Sequence, residues 1–290
     1  MKIKHTRART EAKKLLGDTN HLLITLLVGV EGVRSGVVTK NPTFNVTWNP
    51  RDLESTSKRA RRFARAAALS WSIDALDAYL GNLSIKSTYD LSGINAVIND
   101  QLTQRSVFRK LESISNAISL PLTIELALAH LAIQWRNNLV HYVAENELDV
   151  EFRKCIRTSL VATALEPNKF GNIDGNRLLL DFTNNGHPTF KAVAAFVQSI
   201  NSLIETIDQI VLRSLSVSAY VDGLILSNGA TPAGVARLTK LWAIPDLAQR
   251  AKSIVQLLSS LGVLMDDPHD PYFLTLCSLS VQDFRIRFKL

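Results

Sequence analysis

Cysteine is scarce in this chain: Cys155 and Cys277 are the only two in 290 residues, far apart and without paired metal-ligand spacing. That excludes a disulfide-stapled scaffold and a cysteine zinc site, and points to reduced thiols in a cytoplasmic setting. Long apolar runs are missing as well. The best of them, Leu22 to Val30, is interrupted by Thr25 and Gly29, and falls well short of the roughly 20 apolar residues that cross a bilayer. The basic MKIKHTRARTEAKK ahead of it does not follow the order of a secretory signal. The chain has no Walker or dinucleotide glycine pattern, no elbow presenting a Ser or Cys nucleophile, no internal repeat and no low-complexity tract. Nucleotide-driven chemistry and covalent hydrolase chemistry therefore lack a sequence basis.

What the chain does have is ordinary globular composition with a basic excess. A hydrophobic share of 46% against 20% charged is enough for one large core or two modest ones. A net charge of +7 favours polyanionic partners, because neutralising phosphates releases their counterions. Apolar periodicity predicts an all-α protein, mainly a helical bundle, with short strands near 33–47 and 177–182. Helices are expected over 8–30, from the Asn49-Pro50-Arg51-Asp52 start to about Leu80, and over 94–102, 107–118, 122–143, 150–165 and 189–215. Thr231-Pro232 and Ile244-Pro245-Asp246 open two more. Three regions follow: an N-terminal helical extension (1–48), a bundle (49–166), and a mainly helical C-terminal region (167–290) whose stretch 231–264 is winged-helix-like. Glu166-Pro167-Asn168 opens the Pro-, Gly- and Asn-rich connection between the last two. The helix over 189–215 either joins the first bundle or founds a new one.

Arg136-Asn137-Asn138-Leu139-Val140-His141 is the stretch that carries chemistry. It sits in LTIELALAHLAIQWRNNLVHY, a segment so apolar on two stripes that it should be largely buried. An unpaired buried guanidinium costs several kcal/mol, so Arg136 requires a ligand or an acid. Asn137 and His141, four apart, share a helical face, while Arg136 and His141 are about 140° apart round the helix. An arginine that can fork two phosphoryl oxygens beside an imidazole that exchanges protons near pH 7 suits RNA cleavage by the ribose 2′-hydroxyl. In that chemistry Arg136 would stabilise charge developing on the phosphorane and His141 would act as general acid or base. The competing reading is structural, a helix end with a solvated Arg and His.

This R-N-x-x-x-H arrangement, downstream of a long helix reading RRFARAAALSWSIDALDAYL, resembles the HEPN domain. That family is an all-helical bundle widespread in toxin and anti-phage systems, and many of its members are metal-independent endoribonucleases working as dimers. The resemblance covers about residues 50 to 165, and only the six-residue motif is specific. It implies Arg136 and His141 as the catalytic pair with Asn137 beside them, and Asn138 and Tyr142 as supporting residues. It also implies a homodimer acting on RNA without metal or other cofactor, an antitoxin or regulatory protein as a further partner, and no membrane. In family members with a Tyr after the His one residue intervenes, whereas Tyr142 here follows His141 directly.

Other constellations are weaker. Lys58, Arg61, Arg62 and Arg65 fall on one face of the long helix with Arg59 beside them, a stripe suited to RNA phosphates or simply to solvent. Asp74 and Asp77 lie further along that helix, where one acid can orient Arg136. His130, between Ala129 and Leu131, reads as a core histidine. The function rivalling an endoribonuclease is a non-catalytic helical nucleic-acid-binding or adaptor protein.

Overall fold

A computed structural model describes residues 1–83, 106–140, 147–161 and 169–290. The fold is all-α, and among the described residues the strands form one two-stranded ladder. In chain order the elements are β1 (Lys2–Ile3), α1 (Arg7–Gly17), α2 (Thr19–Arg34), the long α3 (Leu53–Asn82), α4 (Val107–Ala117), α5 (Ile124–Val140), α6 (Val150–Ser159) and α7 (Gly175–Thr183). Then come α8 (Phe190–Ser214), α9 (Val217–Asn228), α10 (Pro232–Trp242), α11 (Leu247–Ser260), β2 (Val263–Leu264), α12 (Pro271–Ser278) and α13 (Val281–Phe288). No single helix among the described residues is long and apolar enough to cross a membrane.

Side-chain caps account for many of the helix starts. Thr231 accepts from Gly234 N at 3.1 Å with Pro232 in the first turn, and Asp246 accepts from Ala248 N at 2.8 Å, each satisfying an amide that the helix itself leaves without a partner. At α3 the cap is Asp52, whose Oδ1 takes Glu54 N at 2.9 Å. The helix therefore begins at Leu53, past the expected Asn49-Pro50 start. The single helix expected over 8–30 is two, because the chain breaks at Asp18 between α1 and α2.

Both expected strands are absent. Residues 35–50 form turns and irregular chain. Residues 177–182 lie in α7, where Leu178, Leu179 and Phe182 are buried at helical spacing and Asp174 accepts from Arg177 N at 2.7 Å. The helix expected over 94–102 lies outside the described residues.

The chain divides into two compact units, interleaved along the sequence rather than consecutive. One comprises Met1–Glu11, Ala78–Leu120 and Glu205–Leu290. Its core includes Trp242 stacked on Phe284 at 4.0 Å, with Leu276, Tyr220 and Phe288 also buried. Here α10, α11 and β2 follow in order, and β1 pairs antiparallel with β2, Lys2 opposite Leu264. Asp208 is buried in this unit, accepting from Thr6 N at 3.1 Å and from the Thr6 hydroxyl. Burial raises its carboxyl above the usual range, against the lowering effect of those bonds.

The other unit comprises Ala12–Asp77 and Pro121–Ile204, and α5 is its centre. All residues from Leu126 to Trp135 are buried, so the helix is enclosed on every side, in keeping with its two apolar stripes. Trp135 meets Phe182 of α7 and Phe196 of α8 edge-on at 5.6 and 5.8 Å. His130 stacks on Phe152 of α6 at 4.3 Å.

Candidate functional site: Arg136 and the flanks of helix α3

Burial along α5 stops at Trp135, one residue before the motif, and Arg136, Asn137 and Asn138 are only half-buried. The polar residues therefore follow the buried segment rather than interrupt it. The rigid core fixes their backbone while their side chains reach the surface. The acid that Arg136 requires is Asp74 of α3: Nη2 donates to Asp74 Oδ1 at 3.1 Å, and Nη1 donates to Asn137 Oδ1 at 3.2 Å. Asp77 is half-buried one turn further along α3. With Asp74 63% exposed and Arg136 23% exposed, such an ion pair contributes at most about 1 kcal/mol of stability. Orientation is its larger effect, since two acceptors fix the plane of a guanidinium that has five N–H donors. His141 and Tyr142 lie outside the described residues.

At about 100° per residue, α3 distributes the basic residues over two flanks. Lys58, Arg61, Arg62 and Arg65 line a concavity of about 420 Å³ with Leu27 of α2 and Phe190 of α8. Arg59 is turned some 100° from Lys58, towards the outer flank. Along that flank, after steps of four, eight and three residues, come Phe63, 77% exposed, Trp71, 50% exposed, and Asp74. The Trp71 indole is held by its N–H, which donates to Leu15 O at 2.7 Å. Arg59 and two exposed aromatic rings thus lead along one face to the acid that holds Arg136, whereas the other four cations face elsewhere. Among the described residues, those four cations and Arg136 do not form one contiguous site.

The concavity lies where the packing of α2, α3 and α8 ends. Beneath it Leu23, Ala64, Ala68, Val193 and Val197 form a cluster against which Leu27 packs. Two of its cations are neutralised, Arg61 by Glu31 and Lys58 by Glu54 at 3.4 Å. Neither Arg62 nor Arg65 has a carboxylate partner among the described residues, and Arg65 Nε donates to the Arg61 carbonyl at 3.2 Å. Burial, and then the Arg62 and Arg61 guanidiniums, hold Arg65 below the usual arginine range. His187 feels the same field: partial burial, then Arg62 and Arg65, lower its imidazole from 6.5. His130 on α5 is pushed down to about 4 by burial, with Asp149 opposing.

Sequence reading passed over Phe63, Trp71, Phe190 and His187 as site residues. A large apolar ring on the solvent side of an amphipathic helix is a readable signal for the first two. Phe190 and His187 join the basic residues only through the packing of α8 on α3, which no local pattern reports. The loop bearing His187 is tied to α5, since Trp135 Nε1 donates to Gly186 O at 2.8 Å. Gly186 fits a tight approach there, a Cβ at that position falling 2.8 Å from the Asp181 carbonyl oxygen. Comparisons with family models, curated proteins and solved structures find no match to this chain, so the candidate site rests on its own chemistry.

Proposed function

We propose that this chain is a HEPN-like endoribonuclease that cuts RNA without a metal, working as a twofold dimer. The ribose 2′-oxygen attacks the adjacent phosphorus, the bond from phosphorus to O5′ breaks, and the products carry a 2′,3′-cyclic phosphate and a 5′-hydroxyl. One imidazole takes the proton from the 2′-hydroxyl and another gives one to the departing O5′. A symmetric pair of His141 residues supplies both roles. Arg136 holds the non-bridging oxygens, where negative charge gathers in the transition state.

The observation that carries this reading is the mounting of Arg136. It stands at the solvent edge of a helix enclosed over ten residues, with its fork oriented by Asp74 and Asn137. Such a mounting gives the pre-organisation that electrostatic catalysis requires, and N–H groups remain for a phosphate. The outer flank of α3 adds support: Arg59 for backbone phosphate, Phe63 and Trp71 for unstacked bases. A toxin or anti-phage role, restrained by an antitoxin or regulatory protein, is the setting the resemblance implies.

One observation favours the non-catalytic reading: Asp74 already satisfies Arg136, as it would in a structural ion pair. Incubating wild type and His141→Ala with mixed cellular RNA in the presence of chelator separates the two. The endoribonuclease cuts in chelator, leaves cyclic phosphate ends, and loses cleavage in the variant while keeping its melting temperature and RNA affinity. An uncut RNA pool that still shifts in a gel would establish a binding protein instead.

A further inference from the structure

We propose that the concavity lined by Lys58, Arg61, Arg62, Arg65 and Phe190 is a second ligand site, which takes a nucleotide by its phosphoryl groups and lays the base against Phe190. This goes beyond the cleavage reading and does not depend on it. Four cationic side chains converge on about 420 Å³, within the size range of small-ligand clefts. Glu31 and Glu54 answer two of them, and no carboxylate among the described residues answers Arg62 or Arg65. Like charges held this close repel, and the helices gain nothing from gathering them unless an anion completes the set.

Shape and chemistry define the anion. Two guanidiniums three residues apart on one helix present planar N–H forks, matched to phosphoryl oxygens. An aromatic ring on the opposite wall, from the first residue of α8, provides a stacking surface that inorganic phosphate would not use. His187 stands close enough to Arg62 and Arg65 for their charge to act on it. This face of α3 is turned about 120° from Asp74 at Arg62, and some 18 Å separates the two along the helix. The site is therefore distinct from the neighbourhood of Arg136. A ligand here anchors or regulates and does not react.

The nucleotide is either free or one unit of a strand, and the test separates the two. The full chain is titrated calorimetrically at low salt with inorganic triphosphate, with ATP, and with a 2′-O-methyl oligonucleotide that lacks the attacking hydroxyl. The variants are Arg62→Gln with Arg65→Gln, Phe190→Ala, and a control pair, Lys252→Ala with Arg285→Ala, which removes the same charge from exposed positions elsewhere.

Triphosphate affinity is expected to fall about a hundredfold in the Gln pair, each charge-assisted fork being worth about tenfold, and to hold within about twofold in the control pair. Phe190→Ala is expected to weaken ATP about fivefold and leave triphosphate unchanged. ATP binding tighter than the oligonucleotide identifies a free nucleotide as the ligand, and the reverse order identifies a strand. Triphosphate binding that survives in the Gln pair, or falls equally in the control pair, overturns the site, as does an absence of binding to all three probes. Because no arm reads cleavage, failure here leaves the endoribonuclease proposal standing, and the converse also holds.

Discussion

Helix α5 and the neighbourhood of the α3 concavity each carry guanidinium and imidazole groups, yet they treat them oppositely. On α5 the charges are resolved within the chain: Arg136 has Asp74, and His130 is kept neutral in a dry stack on Phe152. In the concavity they are left open, with Arg62 and Arg65 lacking an acid among the described residues and His187 lowered partly by their field. A paired cation is held in position, whereas Arg62 and Arg65 are left open to an anion. The contrast distinguishes a positioned arginine from a receptive one.

The largest expected effect tests the first half of that contrast. Arg136→Ala should lower single-turnover RNA cleavage about a thousandfold, whereas Arg62→Ala at saturating RNA should stay within about twofold. An equal loss at both would erase the distinction.

Next in size is the acid stability that α5 places on His130. Its folded-state value, about 4, lies below the unfolded 6.5, so the unfolded chain accepts a proton that the folded chain refuses. This contribution is whole above pH 6.5 and is lost as pH falls from 6.5 through 4, amounting to about 3 kcal/mol. Urea unfolding at several pH values should show that His130→Phe, which keeps the aromatic stack, removes most of this slope.

Asp74→Asn comes third. Cleavage should fall about tenfold as the fork of Arg136 loosens, with stability changed by less than about 1 kcal/mol because the pair is exposed. A large loss of stability with unaltered cleavage would make the pair purely structural. The smallest effect sharpens the other half: Arg62→Gln with Arg65→Gln should leave unfolding free energy within about 0.5 kcal/mol of wild type. In the intact chain, triphosphate should move the His187 imidazole upward in an NMR titration and leave His130 where it is.

Much of this architecture was legible in the sequence because it is local. The double apolar stripe of α5 announced its enclosure, and Thr231-Pro232 and Ile244-Pro245-Asp246 announced two helix starts. The requirement that Arg136 find an acid followed from burial energetics, with Asp74 among the candidates. The misread segments were ones where short patterns are ambiguous. Leu178, Leu179, Leu180 and Phe182 suit a strand until the Asp174 cap and the core select a helix, and Val37 and Val38 suggest extension where the chain only turns. The concavity was half legible: the arginines were in view, but the Phe190 ring that lines it and the His187 imidazole that feels their charge arrive on α8 and the preceding loop, more than a hundred residues downstream. His141, the partner on which the catalytic reading depends, lies outside the described residues.

The bond from the Trp135 indole to the Gly186 carbonyl has a mechanical meaning. Trp135 immediately precedes Arg136, and Gly186 immediately precedes His187, so a 2.8 Å link fastens the backbone of one arginine's helix to the loop that overlooks the others. A tug on that loop from an occupant of the concavity would be felt one residue away from the Arg136 guanidinium. The indole is a tether between that loop and the end of α5, and Trp135→Phe would cut it while leaving an aromatic ring in the core.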